Sequence, residues 1–157
     1  MPLHSINVRE AFRADIPQMQ KIRNAVKENT LSDPSLISDK DYEEFLDARG
    51  KSWVCEHDGR LVGFASVDLI EHNVWALFVD PSSEKLGIGR QLHETMLQWY
   101  FSHTTTPIWL GTEPRTRAAQ FYRKAGWREI GLHGTNEVKF EMNYQDWLTR
   151  NPIPSNL

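Results

Sequence analysis

Cys55 is the one cysteine in 157 residues, so no disulfide can close within the chain. Such sparing use fits a reducing compartment, and a cytoplasmic location is expected. No stretch approaches the roughly 18 apolar residues of a membrane span. The opening MPLHSINVRE lacks a basic-then-apolar signal pattern, so no membrane partner is expected. Lysine and arginine never gather into a block and the formal net charge is -3, which argues against a nucleic-acid surface. His4, His57, His93, His103 and His133 show no metal-ligand spacing with one another or with Cys55, and no metal is expected. Repeats, low-complexity tracts and internal linkers are missing as well.

What is present is ordinary for a globular chain: 39% apolar and 25% charged residues, in a length that suits one domain with a real core. We expect a single domain over residues 1–150 and a short tail over 151–157. Six Trp and seven Phe belong mostly in that core, with a few free to line a cleft. INVREA alternates like a strand with Ile6 and Val8 inward. Asp15 before Ile16-Pro17 reads as a helix cap, and Ile16, Met19, Ile22 or Arg23, and Val26 follow at helical spacing. Ser38 and Asp41 resemble a capping box that starts a second helix. Asp58-Gly59 marks a hairpin turn between KSWVCEH and RLVGFASVDLI. NVWALFV is apolar on both faces and is expected to be covered on both sides. A helix with Ile88, Leu92, Thr95 or Met96, and Trp99 on one face comes next, then the buried strand IWLGT. RTRAAQFYRKAG is a helix stopped by Gly126, and WREIGL and EVKFEM close the chain as strands. The order β-α-α-β-β-β-α-β-α-β-β describes a mixed sheet with helices on its faces.

One junction stands out in VDPSSEKLGIGRQLHETMLQWYF, where Gly87 and Gly89 separate an apolar strand from a long amphipathic helix. The G-x-x-x-x-G-K-[ST] phosphate loop does not occur, and a dinucleotide fingerprint fails because Leu92 stands where a third small residue is needed. A short loop whose backbone N–H groups open a helix remains, and such a place binds phosphate. Lys85 and Arg90 would add positive charge there. A plain turn into a helix is the alternative.

LFVDPSSEKLGIGRQLHETML followed by AAQFYRKAGW resembles the GNAT superfamily of acyl-CoA N-acyltransferases, over most of the chain. The first motif reads Glu84-Lys85-Leu86-Gly87-Ile88-Gly89, and the second reads Phe121-Tyr122-Arg123-Lys124-Ala125-Gly126-Trp127. The resemblance implies an α/β fold with a central, mostly antiparallel sheet and helices on both faces. It implies direct transfer of an acetyl group from acetyl-CoA to a primary amine of a small molecule or protein. A homodimer is left open.

By the same resemblance, the backbone of Leu77, Phe78 and Val79 pairs with the pantetheine arm, and one of its N–H groups polarises the thioester carbonyl. The pyrophosphate rests on Lys85, Leu86, Gly87, Ile88, Gly89 and Arg90. Glu84 departs from the usual Gln or Arg and brings an acid near the phosphates. Arg115 stands where Asn is frequent and is a phosphate-binding candidate. Tyr122 occupies the position of the general acid. Asn73 falls where a glutamate base is common, and an amide cannot take a proton at neutral pH. Asn73 then orients a water, and His72, Glu71 and Glu113 are the candidate bases. The segment from Arg23 to Tyr42, with Arg23, Glu28, Asn29 and Tyr42, is expected to wall the acceptor cleft, a solvated helix-loop being the alternative. A non-catalytic acyl-CoA-binding or sensor module of the same fold is the rival reading, kept open by Asn73 and Glu84.

Overall fold

The computed structural model describes residues 6–26, 37–84 and 86–150. Glu28, Asn29, Lys85 and the 151–157 tail, each named above, lie outside the described residues. Asp58 and Gly59 both have positive φ, 53° and 79°, the mirror-image turn whose twist matches that of the strands it joins. It links β2 (Gly50–His57) to β3 (Arg60–Asp68). β1 (Ile6–Glu10) adds to β2, and β4 (Asn73–Val79) adds to the other side of β3. β5 (Ile108–Thr112), β6 (Arg128–His133) and β7 (Glu137–Met142) complete a seven-stranded sheet in the order β1-β2-β3-β4-β5-β7-β6. Every neighbouring pair is antiparallel except β4–β5. The expected mixed, mostly antiparallel sheet is present.

Two cores form because β2 and β3 alternate apolar residues on both faces. On one face Val54, Phe64 and Ala76 meet Ile16, Met19 and Ile22 of α1 (Ile16–Ala25) and Tyr42 of α2 (Asp39–Glu44). On the other, Cys55, Ala65 and Val67 meet Leu92, Met96 and Tyr100 of α3 (Ile88–His103) and Ala119 and Tyr122 of α4 (Arg117–Lys124). The buried stripe of α3 is wider than the spacing predicts, since His93, Leu97 and Phe101 are also buried. Trp99 sits at its margin, edge-on to Trp53.

Three further differences have physical causes. Asp15 stands at the start of α1 but its carboxylate does not cap it. Instead it takes both guanidinium nitrogens of Arg9, at 2.9 and 3.0 Å, and the Phe12 N–H at 2.7 Å. β4 is not covered on both sides: Ala76 alone is buried and its other residues are half-open, because the strand borders a cavity. A short α5 (Tyr144–Thr149) follows β7, begun by the Asn143 side chain accepting from the Asp146 N–H at 2.7 Å. It docks through Trp147 and Tyr144 on Phe101 and through Arg150 on Glu94 at 3.0 Å.

Candidate active site

β4 and β5 lie side by side in parallel but share one register pair, Asn73 with Trp109. Beyond it they diverge. From Val74 to Val79 the β5-facing edge of β4 has no strand partner among the described residues, while its other edge stays paired to β3 through Leu77–Ala65, Phe78–Phe64 and Val79–Gly63. An unpaired strand edge offers N–H and C=O groups to an extended ligand. The β3–β4 register skips Trp75, so the strand carries a bulge there. The bulge puts Trp75, Ala76 and Phe78 toward the α1 face, whereas Val74, Leu77 and Val79 pack toward α3.

The divergence encloses a cavity of about 240 Å³, smaller than a typical ligand pocket and suited to a reacting centre. Leu77, Phe78 and Tyr122, all expected at the site, line it together with Arg23, Glu113 and Glu137.

At one side of the splay α3 begins. Gly87 takes φ 78°, a left-handed conformation that glycine adopts without steric cost, and this turns the chain into the helix. Its carbonyl accepts the Gln91 N–H at 3.1 Å, and the N–H groups ahead of that bond are the helix's unpaired donors. A Cβ at Gly89 would meet only Val79 Cγ2, at an ordinary 3.6 Å. Packing within the chain therefore does not demand glycine at 89. Glu84 is ion-paired with Arg117 at the start of α4, so its charge is countered rather than aimed at the loop. Arg90 Nε is sealed from solvent with no partner among the described residues. Arg115, exposed beside the α4 start, has φ 63°, a conformation in which asparagine is enriched among non-glycine residues.

α4 holds Tyr122 from both ends. Thr116 Oγ1 accepts the Ala119 N–H at 3.1 Å. At the other end Trp127 N–H reaches Tyr122 O at 3.0 Å and Gly126 N–H reaches Arg123 O at 3.3 Å. That pair of bonds is a Schellman closure, and Gly126 with φ 99° supplies its left-handed residue. The Y-x-x-x-G-W spacing is thus partly a helix stop that fixes its own tyrosine. Tyr122 is buried, its ring edge-on to Trp127 and Phe121. Burial pushes its phenol well above the ordinary range, so the hydroxyl stays protonated at neutral pH. That hydroxyl makes no hydrogen bond with any described residue. Behind it lies His93, which sequence spacing passes over. His93 Nε2 accepts the Trp127 indole N–H at 2.9 Å and Nδ1 faces Glu94 at 3.2 Å. Complete burial lowers its pKa, so the ring is a neutral strut between α3 and Trp127.

His72 and Asn73 are not brought to the cavity. His72 ends the β3–β4 turn and Asn73 opens β4, at the closed end of the splay, where Asp68 Oδ1 accepts the Ile70 and Glu71 N–H groups at 2.7 and 3.0 Å. His72 Nδ1 sits 3.0 Å from Tyr100 OH, which itself donates to Thr106 O at 2.9 Å. Its carbonyl accepts the Trp109 N–H at 3.0 Å, which locks β5 against the turn. Asn73 Oδ1 is sealed without a partner among the described residues, an acceptor fit for a buried water. Glu71 is exposed. Of the candidate bases only Glu113 lines the cavity, and Glu137, across from it on β7, joins it there. Gly111, having no side chain, leaves room for both Glu137 and His133: a Cβ there would stand 2.8 Å from Glu137 Oε1 and 2.7 Å from His133 Cδ2, and His133 Nε2 lies 3.9 Å from Glu137 Oε1. No cluster of three or more potential metal ligands occurs among the described residues.

Residues 16–127 match the sequence profile described as the acetyltransferase (GNAT) family. The chain belongs to that family. A peptidyl-lysine N-acetyltransferase, YiaC of Escherichia coli, is 27% identical over 100 residues, which span 64% of this GNAT chain and 65% of YiaC. A GNAT-family acetyltransferase from Staphylococcus aureus superposes with TM-score 0.77 at 21% identity, covering 88% of this chain and 99% of its own. The PaiA N-acetyltransferase of Thermoplasma acidophilum, solved with coenzyme A, superposes with TM-score 0.76 at 15% identity, covering 89% and 99%. At such identities the superpositions establish a common GNAT fold and nothing finer.

Proposed function

We propose that this GNAT chain transfers an acetyl group from acetyl-CoA to a primary amine of a small molecule or protein. The observation that carries the reading is the β4–β5 splay, which opens a strand edge between the glycine start of α3 and the Tyr122 hydroxyl. The fit to the cosubstrate is physical. Free N–H groups at Gly87–Arg90 suit a pyrophosphate, and glycine at 89, where the chain itself has room for a side chain, suits close approach from outside. The open edge at Leu77–Val79 suits a pantetheine arm. Family members solved with coenzyme A support the same choice.

Bound acetyl-CoA supplies the acyl carbon and a thiolate leaving group, so a C–N bond forms as the C–S bond breaks. A backbone N–H of the open β4 edge polarises the carbonyl as charge develops on its oxygen. An amine of pKa roughly 10 must shed a proton to attack, and Glu113 or Glu137, the two carboxylates in the cavity, accepts it. Tyr122, held protonated by burial, gives its proton to the departing sulfur and regains one through solvent. In this reading His72 and Asn73 brace the closed end of the cleft, with Asn73 able to hold a water. Arg115 remains a phosphate-binding candidate at the rim. The pairing of Glu84 with Arg117 weakens the case for the non-catalytic sensor. A screen of amines and peptides with acetyl-CoA, following free thiol, tests the reading. Release that depends on the amine supports it, whereas the same slow hydrolysis with every acceptor supports the sensor.

A further inference from the structure

Among the described residues, most half-buried arginines are ion-paired; Arg23 and Arg90 are not, and of these two only Arg23 lines the cavity. Arg9 binds Asp15 and Glu56, Arg49 binds Asp68, and Arg150 binds Glu94. The guanidinium of Arg23, on the last turn of α1, has no ion pair or hydrogen bond with any described residue, and its Nε and Nη1 are sealed from solvent. Its guanidinium lies 4.6 Å from the Phe78 ring centre and 5.7 Å from that of Trp75. These rings face α1 because of the β4 bulge, and Arg23 lines the cavity with them. Aromatic faces hold a guanidinium in place without satisfying its N–H donors. A desolvated guanidinium with no partner among the described residues is costly, and an anion that enters at its open Nη2 recovers part of that cost.

The same cavity also carries the opposite charge. Glu113 follows β5 and Glu137 opens β7, and both line the same cavity. A cationic wall from α1 and an acidic wall from β5 and β7 orient a molecule bearing both charges. We propose that the acetylated amine also bears a carboxylate, an amino-acid-like acceptor, whose carboxylate is bound by Arg23 while its amine faces Glu113 and Glu137. A planar guanidinium fork matches a carboxylate with two parallel hydrogen bonds. The small cavity favours a compact acceptor over a bulky one. This inference rests on the acetyltransferase reading above.

The test compares three matched sets of acceptors at saturating acetyl-CoA, followed by free thiol: free amino acids, their amides, and their decarboxylated amines. The acids are expected to exceed both carboxylate-free sets in kcat/KM by about tenfold or more, since a site built to bond a polar group rejects the analogue lacking it. Arg23→Met should bring the three sets within about threefold of one another without lowering Tm, because it removes a charge that burial disfavours. Arg23→Lys, which keeps the charge but loses the fork, should retain part of the preference. Amides or amines turned over as fast as the acids would overturn the inference and leave the acetyltransferase reading standing. Arg23→Met with lowered Tm and an intact preference would also overturn it, as a structural arginine. Thiol release from no set at all would overturn both.

Discussion

Two residues show how burial and pairing set chemistry one side chain at a time. Cys55 is fully buried, and burial pushes its thiol up to about 11. It should therefore resist alkylation at pH 8 in the folded protein and react once denatured, as a mass measurement of labelled protein would show. Asp15 has the opposite balance. Burial alone would raise its carboxyl, but the Arg9 fork and the Phe12 N–H outweigh this and hold it below the ordinary range. A depressed carboxyl stabilises the fold above its unfolded pKa of about 3.9 and loses that contribution as pH falls through the folded value. Asp15→Asn should cost roughly 1–3 kcal/mol at pH 7. It should also flatten the loss of stability on acidification below about pH 4, measured by denaturation at several pH values. An equal loss at every pH would mean that the pair contributes nothing linked to protonation. These positions also mark what a sequence can say about a residue. Asp15 is legible as a polar residue at a helix start. Its partner is Arg9 on β1, and only the folded chain brings the two together.

At the scale of elements, local chemistry decides most of what the sequence reveals. The Asp58-Gly59 turn, the Ser38–Asp41 start of α2 and the Gly126 stop of α4 each depend on residues within a few positions, and each forms where the pattern predicts. Asn143 and Asp146 carry the same kind of signal for α5, although the sequence reading ends at β7. Gly126→Ala should cost about 1–2 kcal/mol, because an L residue must then hold φ 99°. A denaturation midpoint reads this directly. The start of α3 gives a sharper test of function. Gly89→Val should weaken acetyl-CoA binding while keeping the fold, since the chain itself leaves space at that position. Arg90→Ala should weaken it less, as one charge beside several backbone donors. Titration calorimetry of both variants decides the matter, and unchanged affinity in Gly89→Val would reduce the loop to a turn.

Across the whole molecule, the site exists only because distant segments diverge and converge. The motifs at Gly87–Gly89 and Phe121–Trp127 are short and legible, and the resemblance they carry is sound. The parting of β4 from β5 after one shared pair is a property of the entire sheet, and no local pattern encodes it. That is why NVWALFV reads as a strand covered on both sides. It is also why Glu137, beside Gly111, has no local signal in the sequence, whereas Asn73 is marked by the resemblance and His72 stands next to it. A ligand that binds only this assembled cleft stabilises the fold, so acetyl-CoA should raise Tm well above any shift from ATP or NAD at equal concentration. Equal shifts would point to generic anion binding. The splay of β4 from β5 and the closure of α4 put Tyr122 in the cavity lining, and Tyr122→Phe keeps the ring while removing the hydroxyl. Its lack of a hydrogen bond to any described residue means that Tm and acetyl-CoA affinity should hardly change. Because acid catalysis is typically worth roughly 10²–10⁴-fold, kcat for amine-dependent thiol release should fall by a factor in that range. A Tyr122→Phe variant with undiminished kcat would contradict the account.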